Sequence, residues 1–169
     1  MHLMQKDLEA FHGQLSGGAI QRAYRALLFY ILGLRTHLKN KYPEFSVSSL
    51  YQGYMDMTYF AISPPSLKQL DLKIAVVFNY KAFRFEAWLA GRNRTVNRHY
   101  WELFKDIKRP GYRIVTPAKG VDMMIECNLA HGFDLSDTNA LTTIIENGLD
   151  TFIEDIEALL PKGQAMRRV

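Results

Sequence analysis

The sequence of 169 residues contains a single cysteine, Cys127. That excludes an intramolecular disulfide framework and any zinc site of the CxxC type, and makes a reducing compartment, the cytoplasm, the default expectation. Long apolar runs are missing too. The longest, Ala26–Leu34, lies between Arg25 and Arg35 and is far shorter than the ~20 residues a membrane helix needs. It also sits too deep in the chain, without a cleavage-site context, to be a secretory leader, so no membrane partner is expected. The histidines are scattered without HExxH or another paired metal spacing, and there is no Walker loop, GxGxxG or GxSxG. No cofactor and no metal is implied, and no stretch reaches the specificity of a catalytic motif. Repeats, low-complexity tracts and linkers are likewise missing, so residues 1–169 are expected to form one domain with a short basic tail over 162–169.

What is present is a globular composition, 48% apolar and 22% charged, with an uneven charge pattern. Residues 61–120 carry twelve lysines and arginines against Asp71, Glu86, Glu102 and Asp106, whereas residues 121–169 carry three bases against nine acids. Such asymmetry fits a polyanionic partner for the basic part. It fits equally well two oppositely charged parts lying side by side.

Met4, Leu8, Phe11 and Leu15 recur at helical spacing, ending at Ser16-Gly17-Gly18. Ile20, Tyr24, Leu27, Ile31, Leu34 and Leu38, widened by Phe29 and Leu32, predict a second helix stopped by Pro43. The period then changes to two. A long strand is expected from Ser49 to Ala61, followed by a hairpin of Leu72–Tyr80 with Phe83–Ala90. Its predicted register pairs Phe78/Phe85, Val76/Ala87 and Ile74/Leu89 on an apolar face. Asn79/Arg84, Val77/Glu86, Ala75/Trp88 and Lys73/Ala90 fall on a mixed one.

Asn93 or Thr95 can cap a third helix with Val96, Tyr100, Leu103 and Ile107 inward. A short strand at Tyr112–Val115, a fifth over Val121–Leu129, and a last helix capped by Ser136 complete the chain. That helix has Leu141, Ile144, Ile145, Phe152, Ile153, Ile156 and Leu160 as its inner stripe. The expectation is an α+β fold: a five-stranded, mainly antiparallel or mixed sheet, element order ααβββαββα, with the helices on one apolar face.

Two constellations carry chemistry. The stretch "GRNRTVNRH" (91–99) opens the third helix, and Arg94, Arg98, Trp101, Lys105 and Lys108 recur along one side of it, with Arg92 just upstream. Lysines near a helix C-terminus are favourable by themselves, but Arg94 and Arg98 in the first turns oppose the macrodipole and need another negative charge. An external anion or phosphate-bearing ligand, including nucleic acid, held by Arg92, Arg94, Arg98, Trp101 and Lys105 is one source. The protein's own carboxylates are the other.

The second constellation is an alternative pocket of Tyr54, Asp56, Arg84, Glu86 and Trp88 on the mixed face. There two strand-interior acids that approached one another could bind magnesium at a phosphodiester or line a small-ligand pocket. His37, His99 and Cys127 read as packing or surface residues.

The segments "GYMDMTYF" (53–60), "FRFEAWLAG" (83–91) and "YWELF" (100–104), with "LRTHLKNKYP" (34–43), resemble a family of small bacterial proteins of unknown function. The resemblance extends over most of the chain and implies a soluble single-domain protein with no assigned activity. Residues 83–104 are also distantly similar to a domain of unknown function associated with restriction endonucleases, which leans toward nucleic acid. The element order is similar to restriction-endonuclease-like cores, where an acid-x-lysine follows an earlier strand acid. Here Glu86-Ala87-Trp88 has tryptophan in the lysine's place. The functional expectation is therefore a phosphate- or nucleic-acid-binding module, non-catalytic or weakly catalytic. A small-ligand protein, a metal-dependent hydrolase with a degenerate nuclease-like fold, and a structural homodimer are the alternatives.

Overall fold

A computed structural model describes residues 2–162; apart from Lys162, the basic tail expected over 162–169 lies outside the described residues. The elements run α1 (His2–Ser16), α2 (Ala19–Lys41), β1 (Ser46–Val47), β2 (Met57–Ser63), α3 (Pro65–Lys68), β3 (Leu72–Asn79), β4 (Arg84–Gly91), α4 (Arg94–Phe104), β5 (Tyr112–Ile114), β6 (Ile125–His131) and α5 (Thr138–Leu159). The fold is α+β, and its six strands form one antiparallel sheet in the order β1-β2-β3-β4-β6-β5.

The expectation of five strands in the order ααβββαββα is corrected in two places. The long strand from Ser49 does not exist as such. Gly53 (φ 69) and Met55 (φ 60) take left-handed backbone, which no extended strand contains, so the chain turns there. Ser46–Val47 then pairs back on β2, with a further bridge at Tyr51–Tyr59. Of the predicted span only Met57 onward is strand, in β2, and β1 lies upstream of it. Pro64-Pro65 follows β2 and starts the single turn of α3, since proline at a first helical position forfeits no hydrogen bond.

The β3–β4 hairpin has the predicted register from Lys73↔Ala90 to Asn79↔Arg84. The join is wider than expected: Phe83 turns at φ 51 and Asn79 Oδ1 accepts the Ala82 N–H (3.0 Å), which leaves Tyr80 and Phe83 outside the ladder. The last strand starts later than predicted, at Ile125, with a register shift opposite Phe85/Glu86. Residues 115–124 are thereby freed as a loop.

Alternation on β2, β3 and β4 sends Phe60, Ile62, Ile74, Val76, Phe78, Phe85, Ala87 and Leu89 to one face. They meet Leu27, Ile31, Leu34 and Leu38 of α2 and Ile145, Leu149, Phe152 and Ile156 of α5 in a single buried core. Burial of each such side chain stabilises by about 1.5–3 kcal/mol. Val96, Tyr100 and Phe104 of α4 join the same core. Leu103, expected inward, is exposed, and so are Phe29, Leu32 and Ile144. Asp137 rather than Ser136 caps α5, its carboxylate accepting the Ala140 N–H (3.0 Å).

Three acids of α5 make ties to other elements. Glu146 bonds His37 (2.6 Å) and Lys41, Asp150 accepts from Tyr42, and Asp155 takes Arg109 and Tyr112. These carboxylates therefore tie α5 to α2 and β5. Among the described residues no helix is long and apolar enough to cross a membrane.

Candidate anion-binding site

Strand β4 runs into α4 through Gly91-Arg92-Asn93. Asn93 is extended (φ −149), and its side chain accepts the Val96 N–H at 2.9 Å, closing the helix start. The first turn of α4 contains no acidic residue. Behind it, Asn97 is 7% exposed; its Oδ1 accepts the Gly91 N–H (2.6 Å) and its Nδ2 donates over 3.4 Å to the Asp122 carbonyl. One side chain thus locks the end of β4, the first turn of α4 and the 115–124 loop together.

Between that turn and the loop lies a cavity of about 580 Å³, lined by Arg94, Thr95, Asn97 and Arg98 on the helix and by Pro117, Ala118, Lys119 and Val121 on the loop. Three cations face it. Neither Arg94, Arg98 nor Lys119 has a carboxylate within salt-bridge distance among the described residues, whereas Arg84, Arg109 and Arg113 in the same basic segment are all paired. A second cavity, of about 510 Å³, adjoins it over the mixed face of the sheet and shares Arg94, Asn97 and Val121. Tyr59, Lys73, Trp88, Arg92 and Asp122 also line it.

The other basic residues read from the sequence divide. Arg92, exposed, reaches Asp71 at 3.4 Å, an ion pair of the weakest kind. Lys105 is the C-cap residue of α4, bonds Glu102 (2.7 Å) and lies over the Trp101 ring, 5.7 Å from its centroid. Trp101 itself is half-buried against the core, and its indole N–H is buried without a partner among the described residues. Helix α4 ends at Phe104, so Lys108 lies beyond it. Of that stripe, Arg94 and Arg98 line this cavity, and Arg92 lines the neighbouring one.

The alternative pocket is not assembled. Tyr54, 91% exposed, and Asp56 fall in the turn before β2, and the Asp56 carboxylate accepts the Tyr54 N–H at 2.9 Å. That bond, with others from the local backbone, holds its carboxyl below the usual range. The expectation that Asp56 lies inside a strand is corrected: it is a turn residue engaged with its own loop.

Glu86 is fully buried and accepts from Arg84 Nε (2.6 Å), Trp88 Nε1 (2.8 Å) and Asn79 Nδ2 (3.4 Å). Arg84 also donates to Glu126 (3.2 Å), which takes Arg113 as well. Two buried acids and two arginines balance one another there, as low-dielectric burial demands. Among the described residues no three His, Cys, Asp or Glu side chains gather where they could hold a metal. Burial raises the Cys127 thiol to about 11, against the direction a nucleophile needs.

Sequence reasoning missed Asn97 and Lys119. Asn97 had a signal: it is polar on a side of the helix otherwise given to Val96, Tyr100 and Phe104, and a buried amide is placed there to satisfy something. Lys119 had none, because it falls between two predicted strands and only the path of the 115–124 loop brings it opposite α4.

No curated protein and no solved structure matches the chain. Residues 4–160 match the family described as "Domain of unknown function (DUF7000)", and the chain belongs to that family.

Proposed function

We propose that the protein binds a phosphate-bearing anion in the cavity between the first turn of α4 and the 115–124 loop, through Arg94, Arg98 and Lys119. One observation carries the reading: these cations share a cavity and lack carboxylate partners among the described residues, while Glu146 and Asp155 of α5 and Glu86 and Glu126 of the sheet are engaged elsewhere. Arginines in a first turn oppose the helix dipole, and a bound anion relieves that while accepting bidentate bonds. Phosphate and pyrophosphate titrated calorimetrically into the full chain should bind, and more weakly as salt rises. R94E/R98E should lose at least tenfold in affinity at unchanged melting temperature. A double variant that binds like the parent overturns the proposal.

Self-association is a second reading with its own support. Met4, Leu8 and Phe11 of α1 recur at four and three, the spacing of a coiled-coil seam, and all are exposed. Lys6 lies among Asp7 and Glu9, so a second copy meets little like-charge repulsion. Sedimentation should give a dimer for the parent and a monomer for L8E/F11E; a monomeric parent at 100 µM, on the order of 10-fold above a ~10 µM dissociation constant, excludes it.

A further inference from the structure

Resting on the anion-binding reading, we infer that the ligand is a mononucleotide, with its phosphate at Arg94 and Arg98 and its base over the sheet between Tyr59 and Trp88. The cationic cavity shares Arg94, Asn97 and Val121 with a neighbouring one of different chemistry. On the mixed face, Ala75 lies across from Trp88, and Ala90 across from Lys73. Small side chains there leave a floor, and the larger Tyr59 and Trp88 stand on the strands to either side of β3. Tyr59 lies across from Val77 and Trp88 across from Ala75, so the two rings are offset by two residues along strands that are two spacings, about 10 Å, apart, a diagonal span that leaves room for one planar ring.

Trp88 has its indole N–H engaged by Glu86 Oε2 at 2.8 Å, so the hydrogen bond restrains the ring. It is half-buried and has no aromatic partner among the described residues. A π-face of this kind suits a nucleobase of any sequence.

The junction of the two cavities is also equipped. Asn97 lines both, and its amide Nδ2 has two hydrogens but one long bond, 3.4 Å to the Asp122 carbonyl. One donor of a buried side chain is left for a sugar hydroxyl or a phosphate oxygen. Lys73, on the wall of the second cavity, has no acidic partner among the described residues and can meet a carbonyl or ring nitrogen of the base. Each of the two volumes lies within the range of small-molecule sites. A bare anion would leave the aromatic half empty. A nucleic-acid strand needs a continuing track of cations, and the track ends here: Lys105 is held by Glu102 and Lys108 lies beyond the helix.

The test titrates inorganic phosphate, adenosine and the four common nucleoside 5′-monophosphates into the full chain by calorimetry, with tryptophan fluorescence in parallel. At least one monophosphate should bind tenfold or more tighter than phosphate and quench the emission. Ala75→Met, which fills the floor, should bring that nucleotide down to the affinity of phosphate while phosphate binding persists. Tyr59→Leu should do the same in part, and serves if the first variant melts early.

Monophosphates that bind no tighter than phosphate overturn this inference and leave the anion site standing. A folded chain that binds neither overturns both. A single-stranded oligothymidylate that binds more tightly than thymidine monophosphate, and loses that margin in R94E/R98E, replaces the mononucleotide with a polymer.

Discussion

Gly91 has no side chain where β4 gives way to α4, and the geometry explains why none fits. A Cβ built there would stand 2.7 Å from Val96 Cγ1 and 2.9 Å from the Asn97 backbone nitrogen, and the second of these cannot swing aside. Gly91→Ala must therefore push the first turn of α4 away from the sheet, at an overpacking cost of about 1–3 kcal/mol. Because Arg94 lies in that turn and Arg98 directly follows it, the substitution should weaken phosphate binding along with the urea midpoint. A variant that loses stability yet binds phosphate like the parent would show that the turn need not be fixed for binding. Gly53 is a different case: its φ of 69 forms the turn before β2, and a strand reading passed over it because alternation continues through it unbroken.

At the scale of elements, the sequence was most informative where contacts are local or repeat regularly. The β3–β4 register could be read because the apolar sets 74, 76, 78 and 85, 87, 89 exclude a one-residue slip and the short join between the strands excludes a longer one. Helices α2 and α5 were legible through their stripes, although Phe29, Leu32 and Ile144 prove exposed. A stripe fixes the middle of a buried face better than its margins.

Strand ends were not legible. Val121 and Met123 alternate with Asp122 and Met124 as a strand would, yet β6 begins at Ile125 and the earlier residues belong to the loop over α4. Apolar residues that line a cavity and apolar residues that fill a sheet look the same in one dimension. The candidate site was legible in part for the same reason. The misfit of Arg94 and Arg98 with the helix dipole is a property of one element, but the cavity they line is made by two.

For the whole molecule, the asymmetry of charge resolves into clamps and a remainder. The acidic C-terminal segment is tied to α2 and β5 through Glu146, Asp150 and Asp155, which leaves the arginines of α4 outside that neutralisation. Stability should therefore depend on pH through α5, at both ends. Lys41 and His37 hydrogen-bond Glu146 and hold its carboxyl below the ordinary range. Its contribution is present above the unfolded value, about 4.3, and is lost as pH falls through the lower folded one.

Tyr42 moves the other way, pushed up to about 12 by burial and by the Asp150 carboxylate it donates to, so its contribution disappears as pH rises from about 10. Urea midpoints should be level between about pH 5 and 9 and fall on both sides. Glu146→Gln should lower the midpoint at pH 7, with the gap to the parent closing as pH drops below about 4. Tyr42→Phe should flatten the alkaline limb and leave the acid limb unchanged. A Glu146→Gln curve that runs parallel to the parent down to pH 3 would mean that the α2–α5 clamp contributes nothing to folding.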